Sequence, residues 1–566
     1  MTDKIRIYAK DAVAVTGNVV LRENGEKFLE NFSLGGAEGG AFLDFSEPVI
    51  DTSNYLSSIA PGKDSATWQF TIPTDGKYRL TFRYNNPGFK MGGERNQRDE
   101  RNCRVILDVG ENLLSEENWL GWMIFNVSGT CEGVPPEALQ TKKNIAGNQR
   151  WNLNFMNCYL QAGEHTLTLA LEAPPGQAVY DGPNIDWFEV EFINEKQDTN
   201  ELPQITANFN FNHPGIYLTQ EKLMTIKENL REKKEVTIRG LEEIKRNPLS
   251  LLNYQPHSIT RIDVGPYNQP NIGGEEWSKD CLAAHYHALL WALEGDERHA
   301  KKTIEIIEQW SNSLKEVADG NDLKLRFSLL GIELIAAAEI IAHLYNRDPA
   351  VSKENHWSDE GQKKFAEFLQ SKILSKTSEF YPQANGNWDA IIGAFNMAAA
   401  VYLEDDKLFK RCLRQFAFGD VVGGPCLSMG SLFNYIYESG ESQESNRDQV
   451  HARMGLTGLA NQAYIASLQG IDLFSIYNER LLKGFQYNAS YQIGQIVSSR
   501  TFISDRGRGT KDISSLGYEI MIEHYQSRPE ELSEIKKAAE LTLRSATKNE
   551  LGDYTAYWGA LLLANQ

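Results

Sequence analysis

The chain has 566 residues, of which 41% are hydrophobic and 10% aromatic, and its net charge is −19. This length is too great for one ordinary core, so roughly two or three domains are expected. The acidic balance argues against nucleic acid as a partner, because phosphate binding requires a basic surface. A polyanionic substrate would need a local basic cluster that opposes the global charge.

The sequence indicates neither a membrane span nor a disulfide scaffold. No run of about eighteen apolar residues is present, and residues 1–13 lack the apolar segment of a signal peptide. The six cysteines show no CxxC spacing, so a zinc site is not expected. We therefore expect a packed globular protein without a metal centre of that kind.

Residues 1–195 are typical of a β domain. Short alternating runs occur at residues 66–72, 77–84, 104–109, 165–171 and 185–192, with turn sequences between them. Such runs predict a β-sandwich. Trp119, Trp122 and Trp151 are candidates for stacking on sugar rings, and filling the core is the alternative.

The remainder of the chain predicts a linker and then helices. Residues 196–215 lack periodicity, and residues 216–566 form the helical domain. Helix-length apolar periodicity occurs at residues 220–245, 277–294, 299–314, 325–345, 359–375, 388–403 and 406–418. Helices joined by short loops predict stacked αα-hairpins, and the lack of an obvious repeat favours a toroid over a solenoid.

The stretch from Tyr435 to Gly470 is dense in groups that transfer protons or bind anions. Apolar residues at helical spacing predict a helix on which Glu444, Arg447 and His451 share one face. Such a face would present a carboxylate, a permanent cation and a titratable imidazole. The alternative is a surface ion pair beside a histidine with a satisfied partner.

Two further loops carry residue types that bind sugars. One contains Tyr267 and Asn268, in a segment whose glycines and prolines deny it regular structure. In the other, Asn387 stands at a predicted helix N-cap, next to Trp388. Asn387 is a candidate for binding a substrate carboxylate, and Trp388 for stacking beside it.

Three arginines are further candidates for binding an anionic chain. Arg506 and Arg508 lie in the densest basic loop of the C-terminal half, at residues 500–511. Arg453 follows His451 by two positions on the predicted helix. A solvated run of charges is the alternative reading of the loop.

Two sets of strings carry a resemblance to known families. NGNWDA, GESQESNRDQVHARMGL and NERLLKGFQYNASY resemble the alginate-lyase-like domain of polysaccharide lyases, over residues 205–566. PTDGKYRLTFRY, LQAGEHTLTLAL and NIDWFEVEF resemble carbohydrate-binding modules of the galactose-binding-like jelly-roll type. The resemblance implies a jelly-roll β-sandwich followed by an incomplete α/α toroid.

The resemblance also implies β-elimination of a 4-linked uronic-acid polysaccharide such as alginate, polymannuronate or a glucuronan. This chain departs from the better-known alginate lyases at two places. Their Asn-Asn-His string is replaced by residues 385–388, and His451 stands roughly where they carry a tyrosine. The identity of the base therefore stays open between His451 and a tyrosine.

Elimination requires a neutralised carboxylate, a base for the C5 proton and an acid for the leaving oxygen. We expect Asn387 and Arg447 to neutralise the carboxylate, because an arginine fork pairs with it bidentately. His451 is the expected base, since histidine titrates near neutral pH. Tyr437 or Tyr435 is the expected acid, and Glu444 is expected to orient the arginine or histidine.

Two other functions are compatible with the sequence. A glycoside hydrolase would need two of the carboxylates of Asp280, Asp389, Glu444 and Asp448. A non-catalytic protein would bind glycans through both domains. No cofactor is expected for catalysis, although related modules imply a structural calcium in the sandwich. The expected partner is an acidic polysaccharide, and the expected location is periplasmic or secreted after removal of a leader.

Overall fold

The chain folds into an N-terminal β-sandwich and a C-terminal helical domain. The computed structural model describes residues 4–28, 32–34, 36–45, 64–86, 101–108, 119–125, 151–172, 182–193, 209–265, 268–320, 322–499, 503–504, 507–508, 516–546, 559 and 561.

The sandwich contains two antiparallel sheets. Its strands are β1 (Lys4–Tyr8), β2 (Ala14–Thr16), β3 (Val20–Glu23), β4 (Lys27–Phe28), β5 (Phe32–Ser33), β6 (Ala41–Asp44), β7 (Ser65–Ile72), β8 (Gly76–Asn85), β9 (Arg101–Leu107), β10 (Trp119–Phe125), β11 (Asn152–Leu160), β12 (Gly163–Leu171) and β13 (Asn184–Ile193). One sheet has the order β11-β8-β13-β6-β3, with β1 also paired to β13, and the other has the order β10-β9-β12-β7-β2. Strands β4 and β5 form a separate ribbon.

Strand β8 shows how the sequence pattern produces the sandwich. Leu80, Phe82 and Tyr84 are fully buried at alternate positions, whereas Thr81 and Arg83 lie between them on the other face of the sheet. Alternation with period two places the apolar set between the sheets. The predicted β-sandwich is confirmed.

The tryptophans of the sandwich lie mainly in its core. Trp68, Trp187 and Trp122 are 1%, 5% and 6% exposed, so they do not offer a stacking face to solvent. Trp151 is half-buried and packs edge to face against Phe42. The side chain of Trp119 lies outside the described residues.

The helical domain begins after residues 209–219. Its helices are α1 (Gln220–Arg231), α2 (Glu235–Arg246), α3 (Gly274–Glu294), α4 (Glu297–Ser313), α5 (Leu323–His343), α6 (Asp359–Phe368), α7 (Ser375–Thr377), α8 (Gly386–Tyr402), α9 (Asp406–Phe418), α10 (Leu432–Tyr435), α11 (Gln449–Leu468), α12 (Ile476–Gln492), α13 (Leu516–His524) and α14 (Ser533–Ala546). A π-helical turn, Leu369–Leu374, joins α6 to α7, and short strands β14 (Arg261–Val264), β15 (Asn271–Ile272) and β16 (Glu316–Val317) form a small sheet.

These helices form two layers. Helices α3, α5, α8, α11 and α13 form the inner layer, and each packs against the next. Outer helices such as α4 and α9 bury one face only. Because an outer helix returns the chain between successive inner helices, the inner helices run in the same direction. Their N-termini therefore share one face of the predicted α/α toroid.

One inner helix has the length and composition of a membrane span. Within Leu323–Arg347, an 18-residue window has a mean hydropathy of 1.8, and 78% of it is buried inside the domain. The sequence analysis missed this window. This degree of burial is typical of a core helix, since helix α5 packs between α3 and α8.

The sandwich packs directly on the loops that precede the inner helices. Three hydrogen bonds across the boundary are Trp122 N to Gln383 O (2.9 Å), Tyr159 N to Pro425 O (2.8 Å) and Asn157 Nδ2 to Asn434 Oδ1 (2.7 Å). Met429 of the helical domain belongs to the apolar core of the sandwich. The two domains therefore share a buried boundary beside the N-termini of α8 and α11.

Candidate functional site

A cluster of polar side chains lies between the N-termini of α8 and α11. We predicted that Glu444 and Arg447 lie on one face of a helix. This prediction is wrong, because these residues form a turn and α11 begins only at Gln449. Asp448 is the N-cap of α11, and its Oδ1 accepts a hydrogen bond from the backbone N of His451 at 2.8 Å. This cap ends the turn and starts the helix.

Asp448 also fixes the imidazole of His451. The Nδ1 atom of His451 lies 2.8 Å from Oδ1 and 2.7 Å from Oδ2 of Asp448. Although burial alone would raise it, the hydrogen bond and charge of His451 hold the pKa of Asp448 well below its usual range. Since Nδ1–H donates to this carboxylate, the lone pair of the ring is at Nε2.

Nε2 of His451 has no protein hydrogen-bond partner within the part of the chain that the structure describes, and the side chain is 28% exposed. The arrangement suits a base that accepts a proton from outside. We expected Glu444 to be the orienting group. The signal that identifies Asp448 instead is an N-cap residue three positions before a histidine.

Glu444 lies at the centre of the cluster and is 1% exposed. Its carboxylate accepts hydrogen bonds from the backbone N and the Nδ2 of Asn387, each at 2.9 Å, and from Nη1 of Arg447 at 2.8 Å. The carboxylate of Glu444 thus satisfies one of the backbone donors at the N-terminus of α8, the N of Asn387. Glu444 therefore holds Asn387 and Arg447 in place, and its burial leaves no surface on it for binding substrate.

Asn387 occupies a different position from the one predicted. The N-cap of α8 is Asn385, and Asn387 lies within the first turn. Because its Nδ2 is bonded to Glu444, this amide nitrogen is committed and does not neutralise a substrate carboxylate. Its Oδ1 is buried without a hydrogen-bond partner among the described residues. Because Asn387 is 0% exposed, this atom is closed off from the surface of the domain.

The two candidate tyrosines have different surroundings. Tyr435 is fully buried, and its hydroxyl lies 3.0 Å from the carbonyl O of His451. Burial raises its pKa well above the usual range, so Tyr435 supports the start of α11 rather than serving as a proton donor to substrate. Tyr437 packs against Phe155 of β11 with the ring centroids 4.2 Å apart, at the domain boundary.

Arg453 points away from the cluster. It is 4% exposed, and its Nη1 lies 3.5 Å from Oγ1 of Thr542 on α14. Residues two positions apart on a helix face in different directions, so Arg453 cannot share the side of α11 that carries His451. The prediction that it binds substrate is corrected.

The basic loop lies beside the start of α11. The backbone N of Ser504 donates to the carbonyl O of Ser445 at 2.9 Å. Arg508 donates from Nε to the carbonyl O of Tyr491 at 2.8 Å and lies over that ring. Arg506 falls outside the described residues. The described part of the loop therefore borders the site, as a substrate-binding role requires.

Of the predicted sugar-binding residues on the other two loops, Trp388 and Asn268 are described in the structure. Trp388 is half-buried next to Asn387 and meets Tyr381 edge to face, with centroids 5.5 Å apart. Asn268 accepts a hydrogen bond from Arg326 of α5 and is exposed. Tyr267 lies outside the described residues. Trp388 adjoins the cluster directly.

Asp389 is a buried carboxyl group behind Trp388. Its Oδ1 accepts a hydrogen bond from the backbone N of Tyr381 at 2.6 Å. Burial raises its pKa to about 6, although hydrogen bonds from Ser428 and Tyr381 and the charge of Lys324 lower it. Asp389 therefore stays protonated in the folded chain at pH values where an ordinary aspartate is ionised.

This shift predicts a pH dependence of stability. Between the ordinary value of 3.8 and about 6 the folded chain holds a proton that the unfolded chain releases, so stability falls as the pH rises. We expect the free energy of unfolding of the wild type to decrease, relative to that of Asp389→Asn, by about 2 kcal/mol from about pH 4 to about pH 7. Urea unfolding at each pH measures it. A difference that does not change with pH would contradict the assignment.

A second polar cluster contains His213, Glu339 and His343. Their potential ligand atoms lie within 4.8 Å of one another, so among the described residues this cluster is a candidate metal site. The two imidazole rings stack nearly parallel at 4.2 Å, so their in-plane lone pairs do not converge on one ion. Although burial lowers it, hydrogen bonds with Glu339 raise the pKa of His213. We interpret the cluster as a hydrogen-bonded support for residues 213–215.

Comparisons with known proteins find one family match and several structural matches. Residues 245–495 match the model of a family described as alginate lyase. No curated protein matches the chain. An alginate lyase from Bacteroides ovatus is 13% identical with a TM-score of 0.45, covering 63% of this chain and 100% of that one.

Other similar structures match the sandwich. A family 35 carbohydrate-binding module from Clostridium thermocellum is 18% identical with a TM-score of 0.20, covering 33% of this chain and 97% of that one. A module of the same family from Cellvibrio japonicus is 16% identical with a TM-score of 0.19, covering 33% and 92%. The family match at residues 245–495 includes the cluster around Glu444 and His451.

Proposed function

We propose that the protein is a polysaccharide lyase that cleaves a 4-linked uronic-acid polysaccharide by β-elimination. The product would carry a 4,5-unsaturated uronate at its new non-reducing end. The observation that carries the proposal is the Asp448–His451 pair beside Arg447, at one end of α8 and α11 within the matched family domain.

Arg447 is proposed to neutralise the carboxylate of the uronate residue that loses its C5 proton. A guanidinium has five N–H donors in a planar fork, so its bond to Glu444 at 2.8 Å leaves the capacity to bind another carboxylate. Neutralisation stabilises the negative charge that develops next to the carboxylate as the proton leaves. Glu444 fixes the direction of the fork.

His451 is proposed to remove the C5 proton through Nε2. The electron pair of the C5–H bond then forms the C4–C5 double bond, and the bond from C4 to the glycosidic oxygen breaks. Asp448 accepts from Nδ1–H throughout, which stabilises the imidazolium that results. No water is consumed, because the leaving oxygen receives its proton from an acid.

Tyr437 is proposed as that acid. It is 3% exposed, but unlike Tyr435 it lies at the domain boundary, where its ring packs against Phe155. Trp388 and Arg508 are proposed contacts for neighbouring sugar residues.

A glycoside hydrolase fits the same residues less well. Asp280, Asp389, Glu444 and Asp448 are all buried, at 0% to 2% exposed. Each accepts hydrogen bonds from protein groups. A hydrolase needs one carboxyl that reaches the glycosidic oxygen and a second that activates water or attacks the sugar. These carboxylates act as internal acceptors instead.

The test is a screen against polymannuronate, polyguluronate and glucuronan. We expect ultraviolet absorbance from the new C4–C5 double bond on at least one polymer, and products whose masses show no added water. Hydrolysed products of normal mass would identify a hydrolase. Binding without any turnover would identify a glycan-binding protein.

A further inference from the structure

Two cysteines face each other across the boundary between the domains. Cys158 lies on β11 of the sandwich, and Cys426 lies in the segment between α9 and α10 of the helical domain. The two residues pair as an isolated antiparallel β-bridge. Both are free thiols in this structure, and neither the family match nor the proposed chemistry assigns them a role.

The backbone hydrogen bond beside the bridge defines how close the two cysteines lie. The backbone N of Tyr159 donates to the carbonyl O of Pro425 at 2.8 Å, and Pro425 has no N–H with which to return the bond. This bond joins the residue after Cys158 to the residue before Cys426. The cysteines are therefore a non-hydrogen-bonded antiparallel pair, in which the Cα atoms are about 4.5 Å apart and the side chains share one face.

This spacing suits a disulfide. The Cα atoms of two cysteines joined by a disulfide are about 4.4–6.8 Å apart, a range that includes the spacing of a non-hydrogen-bonded pair. Burial raises the pKa of Cys426, and the charges of Asp389 and of a Cys158 thiolate raise it further, so the two sulfur atoms lie near enough to interact. The bond can therefore form by movement of the two side chains, without rearrangement of the backbone.

The pair occupies the side of the sandwich that the helical domain closes. Cys158 is buried in the apolar core of the sandwich, to which Met429 of the helical domain also belongs. Cys426 is buried as well, and its Sγ donates to the carbonyl O of Leu120 on β10 at 2.8 Å. Strands β10 and β11 end the two sheets on this side. The segment from Cys426 to Met429 thus contacts both sheets at the point where a covalent bond would hold it.

Burial determines when these thiols can react. It raises the pKa of Cys158 and of Cys426 well above the usual range of a thiol, so neither is a reactive nucleophile in the folded, reduced chain. Before the domains dock, both side chains are exposed to solvent and have the ordinary pKa of about 8.5. The bond therefore forms while the chain folds, and burial then protects it from reductants.

We propose that Cys158 and Cys426 form a disulfide that joins the two domains covalently when the chain folds in the presence of a small-molecule disulfide such as oxidised glutathione. The thiolate of one cysteine attacks a sulfur of the glutathione disulfide, which forms a mixed disulfide and releases one glutathione thiolate. The thiolate of the other cysteine then attacks the protein sulfur and releases the second glutathione. The protein loses two protons and two electrons, and the glutathione disulfide gains them.

The bond acts on stability rather than on catalysis. It closes a loop of chain that runs from residue 158 to residue 426, and a disulfide across a long loop restricts the unfolded chain strongly. It involves none of the residues of the catalytic cluster, so it is independent of the proposed lyase function.

The first test maps the cysteines of the wild-type chain after refolding with reduced and oxidised glutathione. We expect the intact mass to be lower than that of the reduced protein by two hydrogen atoms. Mass spectrometry of an unreduced digest should show one linked pair of peptides, which contain Cys158 and Cys426. Six alkylated thiols in the unfolded, oxidised protein would overturn the proposal. A link between any other two cysteines would overturn it as well, including one to Cys131, which lies outside the described residues.

The second test measures the effect of the bond on stability. Wild type refolded with oxidised glutathione should melt at least about 3 °C above wild type refolded with a reductant. Cys158→Ala should lose this difference, and Cys426→Ala is the second variant if the first does not fold. Cys412→Ala is the matched control, because Cys412 is an equally buried thiol within α9, and it should keep the difference. Equal melting temperatures for oxidised and reduced wild type would show that the domains are not joined.

Discussion

A His451→Ala variant is expected to lose between about 100-fold and 10,000-fold in kcat/KM on the responsive uronate polymer. The variant removes the only group of the Asp448 pair that can accept the C5 proton. The fold should survive, because the backbone N of residue 451 still donates to the Asp448 cap at 2.8 Å. Initial rates from the ultraviolet absorbance of the product measure the loss of activity. Circular dichroism on the same samples measures whether the fold survives.

The control is His257→Ala, since that imidazole is 53% exposed and also faces an aspartate, Asp280. We expect its rate to stay within about twofold of the wild type, because surface substitutions seldom change the fold. Polymer binding by His451→Ala should be close to normal. If His451→Ala cleaves at the wild-type rate, the base is another group and a tyrosine becomes the first candidate.

An Arg447→Ala variant is expected to lose at least about 100-fold in kcat/KM, the usual effect of removing one preorganised group that stabilises developing charge. Arg447→Lys should recover only part of the activity, because an ammonium lacks the planar fork that binds a carboxylate bidentately. Rates on the same polymer measure both variants. Glu444 keeps its donors from Asn387 in either variant, which limits the structural damage.

A methyl-esterified polymer provides a sharper test of the role of Arg447. An ester has no charge to neutralise, so the ratio of wild-type to Arg447→Ala rates should be much smaller on the ester than on the free acid. Arg414→Ala is a suitable control, because Arg414 pairs with Asp420 at 2.6 Å on the surface. Equal losses on both substrates would show that Arg447 acts on the fold rather than on the carboxylate.

Local sequence signals account well for the helices. The predicted helix at residues 406–418 has the bounds of α9, and the predicted helix at 299–314 lies within two residues of α4. Both begin where an aspartate side chain, Asp405 or Asp296, accepts a hydrogen bond from the first turn. The apolar periodicity and the N-cap residue of a helix are encoded within a few residues, so the sequence alone reveals them.

The site was only partly predictable. A spacing of three or four residues does not distinguish a helix from a turn, so Glu444 and Arg447 were placed on a helix that starts after them. The N-cap role of Asp448 could have been recognised from the sequence, because aspartate is a preferred residue just before a helix. Contacts such as that of Tyr437 with Phe155 join residues far apart in the chain, and no local pattern encodes them.

The boundary between the domains limits how this protein can be recombined. Met429 occupies space in the core of the sandwich, and the carbonyl groups of Gln383 and Pro425 accept their hydrogen bonds from its strands. A gene fusion that joined the helical part to a different module would leave an apolar side chain and two acceptors without these neighbours. The N-terminal domain is therefore structurally integrated with the helical domain rather than an exchangeable attachment.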